Sequence, residues 1–182
     1  MNITAKKTLV GAAAAAFILG LAGPATAATA TFDDAAGDVA HPVDIYGVTV
    51  VNEKNVRVVI KHDDLRRSFR SGASGTVFLD TDPSEAGPEF AFTGGYFEGA
   101  DYALIKTDGW TFGRRAVPLT CSYEMHLDYA ADLTAMRMSR ACLGNPGKVR
   151  VAVKAAGEQP DGDIVHDWLG SRREFTPWVA RG

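Results

Sequence analysis

Carboxylates, aromatic rings, four histidines and two cysteines are the side chains in this chain that could do chemistry. The acids gather in two places. One holds Asp33, Asp34, Asp38 and Asp44, with Gly37 and Pro42 bending the chain between them; the other runs over 80–89, where Asp80, Asp82 and Glu85 stand among Pro83, Gly87 and Pro88. Asp80 and Asp82, two apart at a strand end, point to one side. A hard cation such as Ca²⁺ takes about six to eight oxygens. Asp80, Asp82 and Glu85 are therefore the candidate metal ligands, with structural Ca²⁺ the one candidate cofactor. The stretch does not fit the EF-hand loop, whose sixth-position glycine would be Glu85 and whose twelfth-position glutamate would be Ala91. The competing reading is ordinary turn chemistry, since Asp beside Gly and Pro builds turns.

Other chemistries find less support. Hydrolysis by paired carboxylates needs one acid in an apolar pocket and another held ionised across a cleft, and no spacing here marks such a pair. Ser71–Gly75 is one residue short of the G-x-S-x-G elbow. His41, His62, His126 and His166 are scattered without metal-ligand spacing and read as solvated surface residues. Aromatics remain. A flat ring face suits an aromatic platform with polar groups at its rim. Trp110, in the Gly-rich segment 108–113, is the leading exposed ring, and Tyr96 and Phe97 complete the candidate ligand-binding set, whereas Tyr102 and Trp178 are expected in the core.

What must position these residues follows from the leader and the cysteines. Residues 1–27 read as a Sec-type signal peptide: Lys6 and Lys7 give a positive start, 9–21 a short apolar run, and Ala25-Thr26-Ala27 an A-x-A cleavage site. The apolar run is shorter than the ~20 residues of a bilayer span, so it reads as removed rather than as an anchor. Residues 28–182 then form one secreted, extracellular domain, expected to be monomeric and off the membrane. Without the leader the chain holds 17 Lys plus Arg against 22 Asp plus Glu, a formal charge of −5, which gives no reason to expect nucleic acid as a partner. In an oxidising compartment a lone pair of cysteines is a disulfide framework, so Cys121 and Cys142 are paired.

Strand patterns dominate. Runs at 44–51, 56–61, 76–80, 90–93, 101–107, 110–117, 121–129, 133–142, 148–154 and 175–179 are rich in β-branched and aromatic residues or alternate in polarity, while 63–67 reads as one helical turn capped by Asp63. A hairpin closed at Ala131-Asp132 places Cys121 opposite Cys142, Met125 opposite Met138 and Leu127 opposite Met136, with a register two residues away also open, because that turn lacks glycine. About eight or nine short strands separated by Gly, Pro, Asn and Asp clusters predict an all-β, antiparallel β-sandwich of jelly-roll or Ig-like layout, with one disulfide.

Several short motifs together resemble a known group. Asp33-Asp-Ala-Ala-Gly-Asp38, Asp44-Ile45, Leu79-Asp-Thr-Asp-Pro83, Gly87-Pro-Glu-Phe90, Gly99-Ala-Asp-Tyr102, Asp167-Trp-Leu-Gly170 and Phe175-Thr-Pro-Trp178 resemble uncharacterised secreted actinobacterial β-sandwich proteins. Their layout is similar to that of carbohydrate-binding module family 9 and DOMON-like domains. The resemblance covers nearly the whole chain after the leader and implies a sandwich fold; it carries over no ligand residue. The expected function is a non-catalytic binding module for an extracellular polysaccharide or cell-wall glycan. The alternatives are a secreted carboxylate-dependent glycoside hydrolase and a protein-interaction or wall-structural module without a small ligand.

Overall fold

The computed structural model describes residues 28–113 and 116–182. The leader expected over 1–27 lies outside the described residues. Eleven strands are found among them: β1 (Thr29–Asp33), β2 (Ile45–Asn52), β3 (Asn55–His62), β4 (Ser74–Asp80), β5 (Phe90–Gly95), β6 (Tyr102–Lys106), β7 (Tyr123–Asp128), β8 (Leu133–Ser139), β9 (Lys148–Glu158), β10 (Ile164–Trp168) and β11 (Val179–Ala180). They pair antiparallel into one sheet of order β1-β2-β3-β8-β7 and another of order β10-β9-β4-β5-β6, with β11 beside the start of β9. The fold is all-β and sandwich-like, as the alternating patterns predict, with two more strands than the upper expectation.

Period-2 alternation decides which side chains meet between the sheets. Val48, Val50, Val56, Val58, Ile60, Met136 and Met138 come from the first sheet, and Val77, Leu79, Phe92, Leu104, Val149, Val151 and Val153 from the second; all are buried in one core. Each such side chain contributes about 1.5–3 kcal/mol on burial before the entropy of ordering is counted. β9 is the longest strand, because its edge is covered twice: β11 pairs with its first residues and β10 with its last.

Cys121 and Cys142 form the expected disulfide, with Cα atoms 5.8 Å apart. Closing a loop of this length stabilises by roughly 3 kcal/mol through the unfolded chain. The β7–β8 hairpin keeps the expected faces but takes the register two residues away: Met125 pairs with Met136 and Tyr123 with Met138. The cause is the turn. Asp128 Oδ1 accepts from the Ala130 and Ala131 amides, and Asp132 takes the left-handed conformation (φ 52°), so the loop is four residues rather than two. Cys142 consequently sits on a 3₁₀ turn (Arg140–Leu143) beyond β8 instead of opposite Cys121 within it.

The other differences have local reasons. Residues 63–67 are not a helical turn: Leu65 N donates to Asp132 Oδ1 and Asp63 Oδ1 accepts from Tyr46 OH, and the helical turn nearby is Phe69–Ser71, capped by Ser68. The segment expected as a strand over 110–117 forms no strand among its described residues. Asp108 and Thr111 make a single bridge there, and Arg114 and Arg115 lie outside the described residues. His62 is buried rather than solvated, with Nδ1 3.1 Å from Val43 O and Nε2 3.2 Å from Thr134 Oγ1, and burial holds its pKa down at about 4.

Candidate functional site

The outer face of the second sheet carries an aromatic cluster. Phe78 on β4, Ala91 on β5, Ile105 on β6 and Ala152 on β9 all point away from the main core, yet each is at most 5 % exposed. They are covered by rings from two loops. After β6, Thr107 Oγ1 lies 2.7 Å from Gly109 O and 2.9 Å from Thr111 O, and Gly109 adopts φ 75°, a conformation open to glycine without strain. That tight loop folds Trp110 back over the sheet, 5.1 Å from the Phe78 ring and 4.9 Å from Phe175. Trp168, at the end of β10, stacks on Phe78 at 6.1 Å and meets Trp110 edge-on at 6.3 Å. Offset and edge-to-face geometries of this kind are favourable by about 0.5–1.5 kcal/mol per pair beyond area burial.

Beside the two indoles opens a cavity of about 420 Å³ lined by Phe78, Trp110, Lys154, His166, Trp168, Arg172 and Arg173. Both indoles are half-buried, packed against Phe78 while leaving surface toward the cavity. Lys154 and His166 are placed by strand alternation: they share an outward face with Trp168. Lys154 Nζ lies 5.9 Å over the Trp168 ring and Arg173 5.8 Å over Trp110. Burial, and then the Arg172 charge, lower the pKa of Lys154; burial, Lys154 and Arg172 lower that of His166. The chemistry on offer is stacking plus positive, hydrogen-bond-donating groups at the rim. A larger cavity of about 630 Å³ lies beside His41, Arg66, Arg70 and Glu158, but among its described lining residues there is no Phe, Tyr or Trp to act as a platform.

The predicted ring set is divided. Trp110 lines the cavity, whereas Tyr96 is 0 % exposed inside the main core, 4.9 Å from the His62 ring, and its hydroxyl fills the space left by the missing side chain of Gly75. Tyr96 is thus corrected from a surface ring to a core ring. Phe97 is half-buried in the turn after β5 and does not line the cavity. Trp178 is half-buried under Lys148 and Arg150, and Tyr102 is partly exposed against Phe92 and Tyr123. Trp168 was visible as an aromatic but not as a partner for Trp110. The signal that could have found it is the alternation Ile164, His166, Trp168 along one strand face.

The predicted metal set also separates. Asp80 is fully buried and its Oδ2 is held by Arg150, 2.7 Å from Nε and 2.6 Å from Nη2. Asp82 folds back onto the amide and hydroxyl of Ser84, which lowers its pKa, and Glu85 is exposed. Among the described residues, the carboxylates that converge are instead Asp38, Asp44 and Asp167, with oxygens within 4.8 Å of one another. Asp44 and Asp167 are 1 % and 3 % exposed. Asp44 accepts from the Gly37 and Val39 amides at 2.6 and 3.3 Å, and Asp167 from the Ile45 amide at 2.5 Å. Burial pushes both pKa values up, that of Asp167 to about 6; Asp38 adds to the rise of both, and Asp34 to that of Asp167. This acidic knot fastens the 34–44 loop and the start of β2 to β10.

No protein-family model matches the chain, and no curated protein matches it.

Proposed function

We propose that the protein is a secreted, non-catalytic binding module that holds an extracellular polysaccharide or cell-wall glycan, as a monomer, in the cavity lined by Trp110 and Trp168. The observation that carries this reading is the meeting of two half-buried indoles, distant in sequence, 6.3 Å apart over Phe78 with nitrogen donors around them. A sugar presents one apolar ring face and a rim of hydroxyls, and such a site offers the complement of both. The resemblance in layout to carbohydrate-binding modules and the export leader support the same reading.

A glycan array probed with the purified protein tests it. Saturable binding to a polysaccharide, lost in Trp110→Ala while circular dichroism and the disulfide are retained, is the expected result. Absence of binding across the array by folded wild-type protein overturns the proposal.

A further inference from the structure

The Trp110–Trp168 cavity is positively charged on an acidic protein. Lys154, Arg172 and Arg173 line it together with His166, and none of the described lining residues is acidic. The chain as a whole carries a formal charge of −3. Lys61, Arg66, Arg67, Arg137 and Arg150 each stand within 4.0 Å of a carboxylate, whereas other described cations, such as Lys54 and Arg57, stand alone on the surface rather than gathered around one cavity. Among the described residues, no carboxylate stands at that distance from Lys154, Arg172 or Arg173. Glu174, next in the chain, points back into its own loop and accepts from the Ser171 amide at 3.1 Å.

The three cations are also held close to one another and to the rings. Lys154 lies over Trp168 and Arg173 over Trp110, while the Arg172 charge is felt by both Lys154 and His166. Arg173 adopts φ 63°, a left-handed conformation that disfavours any residue with a Cβ. A neutral ligand would leave this crowding unrelieved. An oxyanion would relieve it, and guanidinium forks fit carboxylate and phosphate oxygens in pairs.

We propose that the ligand of this cavity is an anionic polysaccharide, its sugar ring against the indoles and its carboxylate or phosphodiester group between Arg172, Arg173 and Lys154. This rests on reading the cavity as a glycan site and adds the chemical class of the glycan.

The test titrates the protein with polygalacturonate, with its fully methyl-esterified form, and with a phosphodiester-linked mannan, following binding by calorimetry. The esterified polymer keeps the rings and removes the charge. At least one anionic polymer is expected to bind about tenfold or more tighter than the ester, and Arg172→Gln combined with Arg173→Gln is expected to erase that preference. Both arginines are exposed, and an unchanged melting temperature shows that the variant remains folded. Which of the two anionic polymers is preferred identifies the group as carboxylate or phosphodiester. Equal binding of acid and ester, both lost in Trp110→Ala, overturns the charge claim and leaves the glycan site standing. Binding of no polymer overturns the anionic claim, with the glycan array deciding separately whether the site stands, and binding of an anionic polymer that Trp110→Ala leaves unchanged overturns both.

Discussion

On β10, Asp167 turns inward to a buried knot of carboxylates, while Trp168, the next residue, turns outward to a cavity rimmed by cations. One strand thus borders carboxylates on one face and, on the other, the cations of β9 and of the loop that follows β10. The pleat keeps them apart, because successive side chains leave a strand in opposite directions. Each face must therefore find its own remedy. Asp167 relieves its burial by holding a proton up to about pH 6, a remedy internal to the fold. Lys154, Arg172 and Arg173 outside have no carboxylate within 4.0 Å among the described residues, so their partner is solvent or something that arrives. Asp80 gives the third case, a carboxylate equally buried but supplied with its own Arg150. The contrast teaches where this protein closes its electrostatics within the chain and where it leaves them open.

The contrast can be broken most severely at Arg150. Arg150→Ala strips Asp80 of its counterion in a fully buried position, and the expected loss is about 3 kcal/mol of stability in urea unfolding at pH 7. A loss below about 1 kcal/mol would show that Asp80 does not depend on the pair. Trp168→Ala comes next. It removes a half-buried ring from the outer cluster, with an expected cost of about 2 kcal/mol and loss of the glycan binding that Trp110→Ala also removes. Retained binding in a folded Trp168→Ala variant would separate the two indoles.

Asp167→Asn sharpens the other face, and its sign is opposite. The folded pKa of Asp167 lies above the unfolded value near 3.8, so as pH rises from about 4 through about 6 the unfolded chain gives up a proton that the folded chain keeps, and stability is lost. Asparagine can still accept from the Ile45 amide and carries no charge. The variant is expected to be more stable than wild type by about 1 kcal/mol at pH 7.5, with the gain fading below pH 4. Thermal melts from about pH 3.5 to about pH 8, a range that spans both pKa values, check this; a wild-type protein more stable than the variant at neutral pH would show Asp167 to be compensated. Smallest is Arg172→Gln, expected to change stability by no more than about 0.5 kcal/mol while weakening the binding of anionic polymer.

β9 was legible because Val149, Val151 and Val153 alternate with charged residues, and the β7–β8 hairpin was legible in its faces because Met and Leu recur every second position. Its register was not, since an Asp128 side chain bonding two amides ahead lengthens the turn without any glycine to announce it. β1 and β10 were missed. β10 places Asp167 at an inward position, so the strand that carries both the knot and half of the cavity breaks the apolar pattern by which strands are found. Tyr96 misled in the opposite way: it was expected as a surface ring, while the space that buries it belongs to Gly75 on another strand, which its own segment does not announce. Site residues were the least legible of all, because a cavity lined by Trp110, Trp168, Arg172 and Arg173 exists only once two loops have folded onto the same sheet.

The order of strands in the two sheets also sets a timetable. The middle of the first sheet is the pairing of β3 with β8, Asn55 opposite Ser139, and the middle of the second is the pairing of β4 with β9, Ser74 opposite Ala156. Both seams join an early part of the chain to a late one. A polypeptide emerging from the ribosome has neither seam available until the segment beyond residue 133 has been made, and long-range pairings of this kind close slowly. For most of its synthesis the chain is two sets of strands waiting for partners, still able to be threaded through a narrow opening, and it becomes a sandwich only at the end.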